Sequence, residues 1–215
     1  MPPQIIASGH DKSLRSATNL RIYESMEVID STLVSDVGPN NEIVRFSLMV
    51  SEAVGTVSIE LQQPSNIFSP IGNVDFEFWE NDGGVLDDGV AIYSAVVSQD
   101  YRGLGLALEA YKLICSRFKL ISDDSQTHDG AAFWKYKLSL DDDIEVSIVL
   151  NPDGDPAYYF KPDGKTMYYS GDNELFEPYI WGKEYYTDEH PEFIKTDNIE
   201  SRVDVRLVAV RINEN

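Results

Sequence analysis

Residues 90–118 constrain this chain more tightly than any other stretch. Val90–Val97 is a β-branched and aromatic run of the kind that forms a strand. Arg102-Gly103-Leu104-Gly105-Leu106-Ala107 follows it. Leu104, Leu108, Tyr111, Cys115 and Phe118 then recur at helical spacing, with Glu109, Lys112 and Ser116 on another face. A strand that feeds a glycine-rich turn at a helix start aims several unpaired backbone N–H groups at one point. Glycines let an oxygen-rich ligand come close to the chain, and the positive end of the helix dipole favours phosphate. The segment therefore predicts a phosphate cradle. The competing reading is a tight β-α turn whose glycines only permit close packing.

The type of cradle follows by exclusion and by pattern. A P-loop ends in Gly-Lys-Ser/Thr, whereas Leu108-Glu109 stands here. A dinucleotide fingerprint needs a third glycine at position 108, which is leucine. The pattern Arg/Gln-x-x-Gly-x-Gly/Ala does fit, through Arg102, Gly105 and Ala107. With the Val96-Val97 strand end and the Asp100-Tyr101 pair before it, this segment resembles the acyl-CoA pyrophosphate loop of GNAT-type N-acetyltransferases. Lys119–Ser122 reads as a short strand, 123–129 as a polar loop and Gly130–Leu138 as a helix, the order that family shows after its cofactor helix. The resemblance covers roughly residues 90–138.

That resemblance implies a mixed α+β fold, with a central, mostly antiparallel sheet that splays in a V at the CoA site, and few helices. It implies acetyl-CoA (or CoA) as cofactor, held by Val96, Val97, Arg102, Gly103, Leu104, Gly105, Leu106, Ala107 and Trp134. It implies transfer of an acetyl group to an amine, on a protein or a small molecule. The family's strand N–H to the thioester carbonyl falls near Val96 or Val97. Its carboxylate base has candidates in Glu77, Glu80, Asp87 and Asp88, with Glu77 preferred. Its general acid, a tyrosine on the later helix, is matched by Tyr136, two positions or about 200° round a helix from where Trp134 stands. Ser122 and His128 flank the implied groove as proton donors or acceptors.

Charge bears on partners. The chain has 215 residues and a formal net charge of −20. Such a field repels nucleic acid and anionic membranes, and attracts a basic acceptor such as a basic protein. Arg102, Lys112, Arg117 and Lys119 cluster in or just after the cradle, where a polyanionic cofactor needs them. The single cysteine, Cys115, excludes a disulfide framework or a cysteine-based zinc site and suits a reducing cytoplasm (the host's, if the protein is viral). No apolar run reaches about eighteen residues, and Met1-Pro2-Pro3-Gln4 lacks the features of a signal peptide. Asn151, Asp153 and Asp155 have the spacing of a calcium loop, but Pro156 and Pro162 stand where it needs glycine and glutamate. No metal is expected.

The chain divides into an uncommitted arm over 1–18, a core over 19–150 and a tyrosine-rich extension over 151–215. Within the core, Leu20–Val28 reads as a strand, Val37–Asn41 as a turn, and 43–50 with 54–61 as a hairpin. Ser31–Glu42 leaves room for one helical turn at most, where acetyltransferases place helices. The extension holds turn signals at 151–156 and 161–165, tyrosines at 158, 159, 168, 169, 179, 185 and 186, and a terminal strand at Val203–Ile212 inserted in a sheet. Two further readings stay open: a catalytically degenerate protein that works by binding a partner, such as an accessory or inhibitor protein of a phage, and an acidic DNA mimic. Oligomeric state stays open as well.

Overall fold

A computed structural model describes residues 25–80, 84–122, 128–150, 155–159, 161, 164–171, 180 and 205–212. The arm, most of the strand expected from Leu20, the turn at 151–154 and the tyrosines at 179, 185 and 186 lie outside the described residues. The chain forms two compact units. The first comprises Gln4–Phe78 and Tyr93–Ile114; the second comprises Trp79–Ile92 and Cys115–Asn215, with Met1–Pro3.

The first unit is built on antiparallel strands β1 (Glu27–Val37), β2 (Glu42–Val50), β3 (Val54–Gln62) and β4 (Phe68–Phe78), paired in chain order. Period-two alternation is clearest in β2. Val44, Phe46 and Leu48 of β2 are fully buried, while Arg45, Ser47 and Met49 between them are not. Across the ladders Phe46 faces Ile59, Leu48 faces Val57, and Val57 faces Val74, so the buried residues form one continuous apolar face. Each such side chain contributes roughly 1.5–3 kcal/mol. Gly55 lies opposite Phe76, whose ring covers the space a Cβ would take. On the other face Arg45 donates from Nε to Glu60 Oε2 at 2.8 Å, with its guanidinium 4.1 Å from the Phe68 ring centroid. The C-terminal half of β5 (Gly89–Val97) follows β4, anchored by Ser98 N–H donating to the Ile71 carbonyl at 2.7 Å. Helix α1 (Leu106–Cys115) buries Leu106, Ala110, Leu113 and Ile114, one stripe at helical spacing.

The second unit holds the start of β5 and four more strands: β6 (Lys119–Ile121), β7 (Ile144–Leu150), β8 (Ala157–Tyr158) and β9 (Val205–Arg211). Their order is β5-β6-β9-β7-β8. Gly89–Ala91 pairs in parallel with Lys119–Ile121, and the remaining pairings are antiparallel. The terminal strand is inserted between β6 and β7, as its β-branched run led one to expect. Leu86, Ile121, Val149 and Val208 form a core there, flanked by Trp79, Val85, Tyr158 and Val210. Helix α2 spans His128–Tyr136, two residues earlier at each end than its sequence pattern.

The expected α+β, acetyltransferase-like fold with its V-shaped splay is corrected. Nine strands, only two α-helices and three single-turn 3-10 segments make up the regular structure of the described residues. The clearest departure is β1, which runs eleven residues to Val37 and leaves a tight turn before β2, with no helix between them. Its β-branched residues (Val28, Ile29, Thr32, Val34, Val37) favour extended backbone, and Asp36 and Asn41 take positive φ at 60° and 53° to close the hairpin.

Candidate functional site

The turn between β5 and α1 is where local structure and chemistry meet. After Val97 the chain makes a short 3-10 turn at Gln99–Tyr101, closed by Tyr101 N–H donating to the Ser98 carbonyl at 2.9 Å. Arg102 leaves this turn extended and folds back, its Nε–H donating to the Val97 carbonyl at 2.9 Å. Arg102, Gly103, Leu104 and Gly105 are all exposed.

Gly103 and Gly105 have φ of +77° and +80°, in the left-handed region that only glycine enters without strain. A Cβ on either would meet no atom within 4 Å. Close packing is therefore not why glycine stands there. Gly72 offers a contrast in the same unit, since a Cβ on it would lie 2.6 Å from the Val96 carbonyl oxygen. The turn glycines bend the backbone and leave the space beside it open.

Helix α1 begins directly behind them. Its first intrahelical bond runs from Glu109 N–H to the Gly105 carbonyl at 3.2 Å, so the N–H groups of Leu106, Ala107 and Leu108 precede the ladder. The capping position is Gly105, which has no side-chain oxygen to offer them. Three donors at the positive end of a helix thus lie directly behind the two glycines, an arrangement suited to an anionic oxygen.

The strand leading to the turn adds a second feature. Its parallel pairing with β6 covers Gly89–Ala91 and ends at Ile121, opposite Ala91. Of the carbonyls at this strand end, that of Val97 accepts from Arg102 and that of Val96 lies toward Gly72 of β4. Tyr101, just before Arg102, donates its hydroxyl to Glu42 Oε1 at 3.4 Å, and desolvation together with the Glu42 charge raises its pKa.

The first unit therefore gathers Val96, Val97 and Arg102–Ala107, with Glu77 exposed on β4. Ser122, Trp134 and Tyr136 belong to the second unit. Ser122 is buried, and its hydroxyl accepts from Leu207 N–H at 2.9 Å while its own N–H donates to the Leu207 carbonyl at 2.9 Å, extending the β6–β9 ladder. Trp134 is buried, whereas Tyr136, the last residue of α2, is 58% exposed with the Lys135 ammonium 5.7 Å from its ring centroid. Of the basic residues counted toward the cradle, Lys112 sits 3.9 Å from Glu109, and Lys119 donates from Nζ to the Val85 carbonyl at 3.2 Å. Cys115 is buried with its thiol pushed up to about 12, chiefly by desolvation, and is no nucleophile. No group of acidic, histidine and cysteine side chains among the described residues is arranged to hold a metal, and no helix there is long and apolar enough to cross a membrane.

One cluster escaped the sequence reading. Thr56 donates to Asp75 Oδ1 and Asn73 donates to Asp75 Oδ2, each at 2.6 Å. Burial raises the Asp75 pKa against the opposing pull of these two donors. The available signal was faint: polar residues at 73 and 75 alternating with the core residues Val74 and Phe76. Compared with models of known protein families and with curated proteins, the sequence matches none.

Proposed function

We propose that the protein binds an acyl-CoA through the Arg102–Ala107 turn and moves its acyl group, as in acetyl-CoA, to an amine. One observation carries the reading: two left-handed glycines open onto free space directly before three uncapped helix N–H groups. The reading rests on this turn and the strand before it, and takes nothing from the fold of the whole chain. Leu106, Ala107 and Leu108 N–H groups bind pyrophosphate oxygens, with the Arg102 guanidinium beside them. An N–H of Val96 or Val97 stabilises negative charge on a carbonyl oxygen. Bound there, acetyl-CoA would supply the activated thioester: the amine nitrogen would form a C–N bond to its carbonyl carbon, the C–S bond would break, and the departing CoA sulfur would leave as the thiol with the proton the amine loses. The charge of −20 favours a cationic acceptor, such as a basic protein or small amine, over nucleic acid.

A binding protein without turnover is the second reading. The ladder role of the Ser122 hydroxyl favours it, because that group is already engaged. Calorimetric titration with acetyl-CoA, followed by mass spectrometry of a primary-amine mixture, separates the two. Saturable binding with acetylated product supports acyl transfer. Binding without product moves the assignment to the second reading, and absence of binding overturns the acyl-transfer reading.

A further inference from the structure

We propose that Asp75, oriented by Thr56 and Asn73, is a binding site for a primary ammonium group. This deepens the acyl-transfer reading by naming the class of acceptor, and rests on it for the reaction but not for the binding.

The strands β3 and β4 present two unlike faces. Val57, Val74 and Phe76 are fully buried on one. Thr56, Asn73 and Asp75 share the other, because Thr56 lies directly opposite Asp75 and Asn73 is two residues from it along the strand. Thr56 and Asn73 are 2% and 6% exposed, while Asp75 itself is only partly buried. Two buried donors are therefore committed to a single carboxylate that still has open surface. Each of its oxygens accepts one short bond and keeps capacity for another.

No basic side chain among the described residues is paired with Asp75; Arg45 pairs with Glu60 and Lys112 with Glu109. A partly desolvated carboxylate without a cation is costly, and the matching partner is a cation that also donates hydrogen bonds. A single carboxylate with two neutral donors makes a poor metal site, whereas an R–NH3+ group supplies both charge and N–H bonds. The location suits an acceptor. Gly72, next to Asn73, lies against Val96, and Ile71 accepts from Ser98, so the cluster starts one residue along β4 from the end of β5 that enters the turn.

The test is an NMR titration of the full, isotope-labelled chain with ethylammonium, and separately with tetramethylammonium, at about 0.15 M salt. The second cation carries the same charge but no N–H. The expected result is a saturable shift of the Asp75 carboxyl carbon and Thr56 amide with ethylammonium, at least tenfold weaker with tetramethylammonium. Asp75→Asn should abolish it and Thr56→Val should weaken it several-fold. Equal responses to both cations, shifts spread over the acidic surface, or an unaltered response in Asp75→Asn overturn the proposal. The contrast between the cations needs no variant, so it holds even if Asp75→Asn fails to fold. Ethylammonium binding at Asp75 in a chain that does not bind acetyl-CoA refutes the acyl-transfer reading and leaves this site standing.

Discussion

Replacing Gly105 by asparagine and by aspartate separates electrostatics from backbone strain at the turn. Both residues enter the left-handed region more readily than other L-residues, so at φ +80° they carry nearly the same strain. A Cβ at Gly105 meets nothing within 4 Å, so both side chains extend into the same open space. The two variants then differ by one negative charge. A carboxylate about 5 Å from a bound phosphate, at an effective dielectric between about 20 and 80, opposes it by about 1–3 kcal/mol. Calorimetry with acetyl-CoA should show the aspartate variant binding roughly 5- to 150-fold more weakly than the asparagine variant. The gap should shrink in about 0.5 M salt. Both variants should melt cooperatively, the aspartate variant no less stable than the asparagine one because its charge sits at the positive helix end, so weaker binding by it cannot come from unfolding. Equal affinities in two folded variants would refute the claim that phosphate sits at this turn.

Other consequences are independent of any ligand. Gly55→Ala drives a methyl into the buried Phe76 ring, and the overpacking should cost about 1–3 kcal/mol, lowering the melting temperature by about 2–4 °C per kcal/mol. An unchanged melting temperature would contradict that packing. Cys115, buried with its thiol raised to about 12, should resist a disulfide reagent at about pH 8 until the chain is denatured; prompt reaction of the native protein would contradict its burial. Asp75 holds its proton more tightly folded than unfolded, so its contribution to stability is greatest below the unfolded value of 3.8 and declines as pH rises through the raised folded value. Asp75→Asn removes that titration. The melting temperature of the wild type relative to the variant should therefore fall across that window, and a rise would reverse the assignment.

What the sequence made legible follows from how local each determinant is. The hairpin of β2 and β3 was readable because its apolar residues repeat at period two. The turn was readable because left-handed backbone leaves glycine as its mark. β1 was not. Its sequence Glu-Val-Ile-Asp-Ser-Thr-Leu-Val-Ser-Asp-Val lacks strict alternation, its register with β2 slips twice, and Val28 and Leu33 are 57% and 62% exposed. Edge pairing holds it, and pairing is a property of two strands. The Asp75 cluster was hidden for the same reason, since only the β3–β4 register sets Thr56 beside a residue nineteen positions away. Ser122 shows the converse: a hydroxyl beside the cradle segment looks chemically available until the pairing with Leu207 is known.

Amide chemical shifts of Gly103–Leu108, followed as acetyl-CoA is added to the labelled wild-type chain, test the central claim most directly. The account predicts saturable shifts concentrated at Leu106, Ala107 and Leu108, with smaller changes at Val96 and Val97. Absence of shifts at these amides, or saturation at some other segment alone, would contradict it.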